Sequence, residues 1–546
     1  MRRKTGMNGV ALSAAALALT LSVVGGCTLA PEYRRPAPAM PSAWNAGQDA
    51  APGGEDGAQV AAEAPDATAP AGSSGASAHS GAQPGAPTGA QPAMQTPDWR
   101  QVVVDAPMAR LVDVALSSNR DLRVAVLQIE KARAQHAIAR ADLFPHIDAS
   151  GAGNAGRTAQ SLSPTGEGYV SHAYTVGVGF SAYELDLFGR VRSLKEQALE
   201  RFLSTDAAAR SVQLTLVAEV GQAYLTLVAD REQLALAREI LETEQASFEV
   251  VQSRYGHGIA GELDVARART TVDTARVNVA AAEAKVTADE NALALLLGTP
   301  VTPDMVPACR LADVMPLADV PAGVPSEVLT RRPDVVAAEH ALKAANANIG
   351  AARAQFFPRI GLTASYGNAS NDMENLFRAG AHTWSFVPQV TLPIFHAGAI
   401  RAGVETAEAD RDIYVAQYEK AVQTAFREVS DTLAQGRSLA VQTGAQTSLV
   451  EATATSYSLA SKRYESGIAG YLDKLDAQRS YAVARQNLIA MHLARQNNRL
   501  TLFKALGGGW GGEPMPPLAP SVLETAGGQV SSDASAVASA GGSPSK

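Results

Sequence analysis

Arg254-Tyr255-Gly256-His257-Gly258-Ile259-Ala260-Gly261-Glu262-Leu263-Asp264 returns 209 residues later as Arg463-Tyr464-Glu465-Ser466-Gly467-Ile468-Ala469-Gly470-Tyr471-Leu472-Asp473. Leu297-Gly298 recurs as Leu506-Gly507 at the same spacing of 209. Upstream, the run from Ala139 to Ile147, with its Phe144-Pro145 pair, matches Ala352 to Ile360 at a spacing of 213, and Leu116–Leu122 matches Leu329–Val335 likewise. Shared landmarks in one order mark an internal duplication. The core therefore divides into two copies of one unit, 101–310 and 311–510.

Between these landmarks the prolines separate helix from everything else. None occurs from 165 to 299 or from 394 to 513. An interior proline costs a helix about 3 kcal/mol, and both stretches are rich in Ala, Leu, Glu, Gln and Arg. One continuous helix is predicted from Leu194 to Arg254, and its twin from Ile400 to Arg463. At 1.5 Å per residue each would be roughly 90 Å long, which suits a rod or a tube and no globular core. Each breaks at its Gly-Ile-Ala-Gly turn and resumes as a shorter helix, to Leu297 and Leu506.

Strand patterning follows each Phe-Pro landmark. Tyr174, Val176, Val178 and Phe180 alternate with small or polar residues, and Trp384, Phe386, Pro388, Val390, Leu392 and Ile394 alternate with Ser385, Val387, Gln389, Thr391 and Pro393. Ile360–Tyr366 and Ile147–Gly153 are their predicted partner strands, with polar loops at 155–172 and 368–382. Segments of this length, apolar on one face only, fit transmembrane β-strands and also half-exposed soluble hairpins. Edges constrain the first alternative: four strands cannot close a barrel, and lipid tolerates no open edge. Spanning strands would require several chains to share one barrel.

The ends of the chain carry different signals. Arg2, Arg3 and Lys4 precede an apolar run from Val10 to Val24, so residues 1–26 read as a signal peptide. The run ends in Val24-Gly25-Gly26-Cys27, a lipobox-like arrangement that marks Cys27 for acylation. Residues 46–96 are almost devoid of large apolar side chains, so the 27–100 segment reads as a lipidated N-terminus with a disordered Ala/Gly/Pro-rich stretch, and 511–546 as a disordered tail. With 46 basic against 54 acidic residues, the net charge is −8, and no dense basic block follows the leader, so nucleic acid is not the expected partner. The two cysteines, Cys27 and Cys309, form no scaffold, and no metal-spaced histidines, P-loop or GxSxG motif is present. An enzyme is not expected.

The chain resembles the TolC-like outer-membrane efflux proteins, in their lipoprotein branch, the NodT-type outlets of resistance-nodulation-division pumps. The resemblance rests on Cys27-x-x-x-Pro31-x-Tyr33-x-x-Pro36, Asn119-x-Asp121-Leu122, Arg331-Arg332-Pro333-Asp334, Ala354-x-x-Phe357-Pro358 and the paired Gly turns. It implies an α+β membrane protein in which a duplicated helical-rod unit with β-hairpins forms a homotrimer. That trimer would place a 12-strand outer-membrane β-barrel on a periplasmic α-helical barrel. It further implies an exit duct of a tripartite pump for small molecules and drugs, opened by an inner-membrane pump and a periplasmic adaptor, lipid-anchored and barrel-inserted. No cofactor is implied beyond diacylglyceryl and N-acyl lipid on Cys27.

The same resemblance puts Gly258, Gly261, Gly467 and Gly470 at periplasmic tips that meet the adaptor. It makes Asp473 and Asp476, one helical turn apart, the constriction of the aperture, with Tyr464 in a supporting network. Six such carboxylates around one axis would favour cations. A solvated helix face is the competing reading, and paired-carboxylate catalysis lacks every accompanying group. Asp264 keeps one acidic position in the first copy, where Arg267 replaces the second; it either pairs with a basic group or caps its helix. Arg254 and Arg463 either bridge neighbouring helices or are solvated. Arg331-Arg332-Pro333-Asp334 reads as a helix start. Tyr366, Trp384 and Phe386 are interface aromatics or ordinary hairpin packing. Competing functions are an outlet for type I protein secretion and a periplasmic adaptor or structural coiled-coil lipoprotein; an adaptor would carry one helical hairpin and not duplicated rods.

Overall fold

The computed structural model describes residues 29–36, 100, 103–164, 166–317 and 326–508. The signal peptide, Cys27, the 46–96 stretch and the 511–546 tail lie outside the described residues.

Each copy opens with short helices and ends in a helical hairpin. The first contains α1 (Ala106–Ser118), α2 (Arg120–Ala141), β1 (Asp148–Thr158), β2 (Tyr169–Glu184), α3 (Arg190–Gly256) and α4 (Glu262–Leu297). The second contains α5 (Pro333–Ala354), β3 (Arg359–Ser370), β4 (His382–Thr391), α6 (Ala399–Glu465) and α7 (Tyr471–Ala505). Both rods, α3 and α6, have 67 residues, roughly 100 Å at the α-helical rise. They outrun the expected limits at both ends. Each starts directly after a left-handed glycine, Gly189 (φ 77°) or Gly398 (φ 86°), and that conformation, easy only for glycine, sets the start.

The strands form one antiparallel sheet in the order β1-β2-β3-β4, leaving an unpaired edge on β1 and on β4. They extend farther into the two expected loops than the sequence implied: β1 runs to Thr158, β2 begins at Tyr169 and β3 reaches Ser370. Ladder hydrogen bonds are made by backbone, so polar side chains such as Asn154 and Arg157 do not end a strand. Conversely Leu392 and Ile394 lie beyond the end of β4, which stops at Thr391 before Pro393. Val178, Tyr366 and Trp384 stand in one cross-strand row, which makes that face apolar. The opposite face carries Gly177, Gly179 and Gly367. A Cβ on Gly177 would lie 2.8 Å from the Tyr366 carbonyl oxygen, so backbones crowd on this side and only glycine fits.

Below the sheet, the main core packs α1 against α3 and α4 through Met108, Leu111, Tyr224, Leu225, Leu293 and Leu297. Asn119 explains its motif: its side chain accepts from the Leu122 N–H (2.9 Å), capping α2, and donates to the Leu296 carbonyl (2.9 Å). Pro333 is the first residue of α5 and Asp334 lies in its first turn, so the helix-start reading of Arg331–Asp334 holds. Arg332 does more. Buried, it donates to the Ala505 carbonyl (2.7 Å), Glu428 (2.8 Å) and Asp334 (2.8 Å), tying α5 to α6 and the end of α7. A buried guanidinium shared among three acceptors is a fixed clasp.

Candidate functional site

The two Gly turns come together at the end of the rods opposite the sheet. In the first, the Ile259 N–H donates back to the Arg254 carbonyl (2.9 Å), and Gly258 adopts φ 74°. In the second, Ile468 donates to Arg463 (2.9 Å) and Gly467 adopts φ 72°. These are αL helix ends, and they account for one glycine in each pair. Gly261 and Gly470 are the N-caps of α4 and α7 with extended backbone, and an added Cβ would meet nothing at either position.

Between the turns lies a small core. Val251 of α3, Ala268 of α4 and Tyr471 of α7 are buried, with Phe248, Val265, Tyr464 and Leu475 packed against them. The Tyr464 and Tyr471 rings are 5.7 Å apart. Tyr464 is flanked by two cations: the Arg254 guanidinium carbon lies 4.7 Å from its ring centroid and Lys474 Nζ 5.5 Å. Arg254 therefore bridges the hairpins, as one of its two readings required, whereas Arg463 is exposed.

One turn deeper, Gln478 donates to the buried Glu244 (3.0 Å), and Lys474 reaches Ser247 at 3.5 Å. Burial pushes the Glu244 carboxyl up despite Thr271 and Lys474, which act the other way. Burial likewise lowers Lys474 against the pull of Glu465 and Glu244. Glu244, Thr271 and Gln478 line a groove of about 420 Å³ between α3, α4 and α7, as does Asp476.

Asp473 and Asp476 are exposed on the first turns of α7. Asp476 pairs with Arg479 at 3.1 Å, an exposed i,i+3 contact, while Asp473 has no side-chain partner among the described residues. Asp264 does not cap its helix. Gly261 is the N-cap, and among the described residues the Asp264 side chain has no ion pair; it sits in the first turn of α4, where the helix dipole favours a negative charge.

At the other end, Tyr366 and Trp384 stand directly opposite each other, Phe386 is two residues on along the same face, and all three are exposed. A second set of aromatics escaped the sequence reading: Phe144, Phe356 and Phe395 are exposed just below the sheet, and Phe188 stacks on Phe357 at 4.6 Å. The duplicated Phe-Pro landmarks were their signal, spent there on finding the repeat.

Comparison with known proteins settles the family. The model of the outer membrane efflux protein family matches residues 111–299 and 324–508. The toluene efflux pump outer membrane protein TtgC and the antibiotic efflux pump outer membrane protein ArpC, both of Pseudomonas putida, are each 44% identical over 494 residues, 90% of this chain and 95% of theirs. The open state of the MtrE outer membrane channel of Neisseria gonorrhoeae superposes with a TM-score of 0.73 at 33% identity, covering 88% of this chain and 98% of that one. The fold is thus that of the trimeric TolC-like channels, in which three four-stranded sheets supply one barrel, and the adaptor and secretion readings fall away. With its sheet for the outer membrane at one end of 67-residue rods and two Gly turns at the other, the chain belongs to the outer membrane efflux protein family.

Proposed function

We propose that this channel is the passive outlet of a tripartite pump, joined at its tips to a periplasmic adaptor and through it to an inner-membrane resistance-nodulation-division pump. Its cargo is small organic molecules of the solvent and antibiotic classes, the classes named for its relatives. The carrying observation is the meeting of both Gly turns at one end of the rods, with Asp473 and Asp476 exposed beside them. Three copies would gather six carboxylates about one axis, a ring that repels anions and narrows the aperture. Holding the ring shut falls to Arg254 and Lys474, which grip Tyr464 from two sides, and to the Gln478–Glu244 bond.

Adaptor contact at the tips is supported by Gly261 and Gly470. Their backbone is accessible to any residue and their surroundings are open, so within this chain a side chain there would cost little. Glycine at both positions suits the close approach of another molecule. The lipid on Cys27 is supported by the small residues that follow the apolar leader and precede the cysteine. Tyr366, Trp384 and Phe386 serve as the outer aromatic girdle against lipid. The duct performs no chemistry, and energy enters from the pump.

Single-channel conductance in a planar bilayer tests the gate. The wild-type trimer is expected to conduct weakly with cation preference, and Asp473→Ala with Asp476→Ala to raise conductance and reduce that preference. Equal conductance in both proteins would discard these aspartates as the constriction.

A further inference from the structure

The Pro-x-Tyr-x-x-Pro motif after Cys27 has no part in the duct or the gate, yet the structure gives it an elaborate receptor. Residues 29–36 lie as an extended strap along α5. Four positions of that helix, Glu339, Lys343, Asn346 and Gly350, fall on one face and meet the strap in sequence. Arg35 forms a two-pronged ion pair with Glu339, and the Tyr33 hydroxyl donates to the same carboxylate at 3.3 Å. Lys343 also pairs with Glu339 (3.1 Å) and stands 5.2 Å from the Tyr33 ring centroid. The Asn346 amide donates to the Pro31 carbonyl at 2.7 Å. Gly350 closes the series: a Cβ there would lie 2.8 Å from the Ala30 nitrogen and 2.9 Å from the Ala30 Cβ.

Two of these features fit the strap closely. With the strap over it Glu339 is 5% exposed, and a carboxylate covered in this way needs the compensating charge that Arg35 brings. Burial alone would raise its pKa, but hydrogen bonds from Arg35 and Lys343 outweigh burial and hold it below the usual carboxylate value. Gly350 costs the interior of α5 about 0.5–1 kcal/mol relative to alanine, and it permits close approach on two sides: Ser193 Oγ of α3, 2.6 Å from an added Cβ, and the strap at Ala30.

The direction of docking matters. From Arg35 back to Ala30 the strap advances along α5 from Glu339 to Gly350, toward the end of the helix that enters β3. Cys27 is three residues beyond Ala30, a reach of about 10 Å at most. Along α5, Gly350 is four residues from the helix end at Ala354, about 6 Å. The first distance exceeds the second, so the level where the sheet begins is within reach of a cysteine three residues before Ala30.

We infer that the Glu339–Lys343–Asn346–Gly350 face of α5 is a docking site for the chain's own N-terminal segment, and that it works as a ruler, holding the acylated cysteine level with the membrane end of the rods. The ruler rests on the lipidation of Cys27; the docking site does not.

Trypsin digestion of full-length trimers in open outer-membrane fragments, whose periplasmic face is accessible to the protease, tests both parts, read as the rate of cleavage after Arg34, with the mass of the N-terminal peptide reporting lipid. Wild type is expected to be resistant. The double variant Tyr33→Ala with Arg35→Ala, which leaves α5 untouched, and the α5 variant Gly350→Leu are both expected to be cleaved at least ten-fold faster. Wild-type protection in the Tyr33/Arg35 variant would overturn the docking site. Deleting Thr28 and Leu29 shortens the reach by about 7 Å, so a lipidated chain must undock to keep its acyl chains in the bilayer. Fast cleavage is expected there, and resistance of that lipidated variant would overturn the ruler. A resistant wild type whose peptide carries no lipid would overturn the ruler and the lipidation reading while leaving the docking site intact.

Discussion

The two tip turns share a backbone and divide its uses. Each has the same Arg-Tyr start, the same αL glycine and the same N-capping glycine, but the side chains diverge directly afterward. Where the first turn has Glu262, Val265 and Arg267, the second has Tyr471, Lys474 and Asp476. Tyr255 and Glu262 face solvent, whereas Tyr471 is buried against Val251 and Ala268 of the first hairpin. The first turn is a platform; the second plugs into it and carries the acidic pair. Duplication preserved the αL glycine because only glycine is comfortable there, and left the outward positions free to specialise.

The largest break in this comparison is expected from Tyr471→Ala. Emptying a buried aromatic site costs about 3 kcal/mol, while Glu262→Ala at the matching exposed position should stay within about 0.5 kcal/mol. Thermal dissociation of detergent-extracted trimers measures both. If the turns were equivalent, the two losses would match. Backbone equivalence gives the opposite pattern: Gly258→Val and Gly467→Val should each cost about 1–2 kcal/mol, because both force a branched residue into αL. Unequal losses there would mean that the turns differ in backbone as well as in side chains.

How much of this could be read beforehand depends on how local each cause is. The rods were legible because a run without proline and rich in helix formers is a local signal repeated for tens of residues, and the turns because Gly258 and Gly467 recur in the same frame. The four-strand count was legible from alternation, but strand ends were not, since backbone pairing carries β1 through Asn154 to Thr158 irrespective of polarity. Arg332 was readable as a neighbour of Pro333 and unreadable as a clasp, because Ala505 is 173 residues away. Arg254 kept two open readings for the same reason: the ring it covers belongs to the other copy. The capping reading of Asp264 failed, since glycine already occupied the cap.

A smaller effect separates the two arginines that open the turns. Arg254 lies over Tyr464, so Arg254→Met should weaken the grip of one hairpin on the other by about 1 kcal/mol and raise the open-channel fraction several-fold in bilayer recordings. Arg463 is exposed, and Arg463→Met should leave the recordings unchanged. Equal effects would remove the cation from the account of closure and leave the tyrosine pair alone to hold the tips together.

The smallest effect is a pH dependence carried by Glu244, whose counterpart 209 residues on, Thr453, cannot titrate. Burial raises the Glu244 carboxyl in the folded protein, so the folded state binds this proton more tightly than the unfolded chain does. The sign follows from linkage: the stabilising contribution is fully present below the ordinary carboxylate range and is lost as pH rises through the raised folded value. Acidification from neutrality should therefore tighten the contact of α3 with α7, because a neutral Glu244 no longer bears the cost of a buried charge and still accepts from Gln478. In Glu244→Gln the group is permanently neutral, so that part of the pH dependence of trimer melting should vanish while Thr453→Val leaves it intact. A Glu244→Gln protein that kept the full pH dependence would shift its origin to Asp289, which burial and the neighbouring Asp230 raise to about 6 on the α3–α4 contact. The platform hairpin would then respond to acid by itself, with no involvement of the second turn.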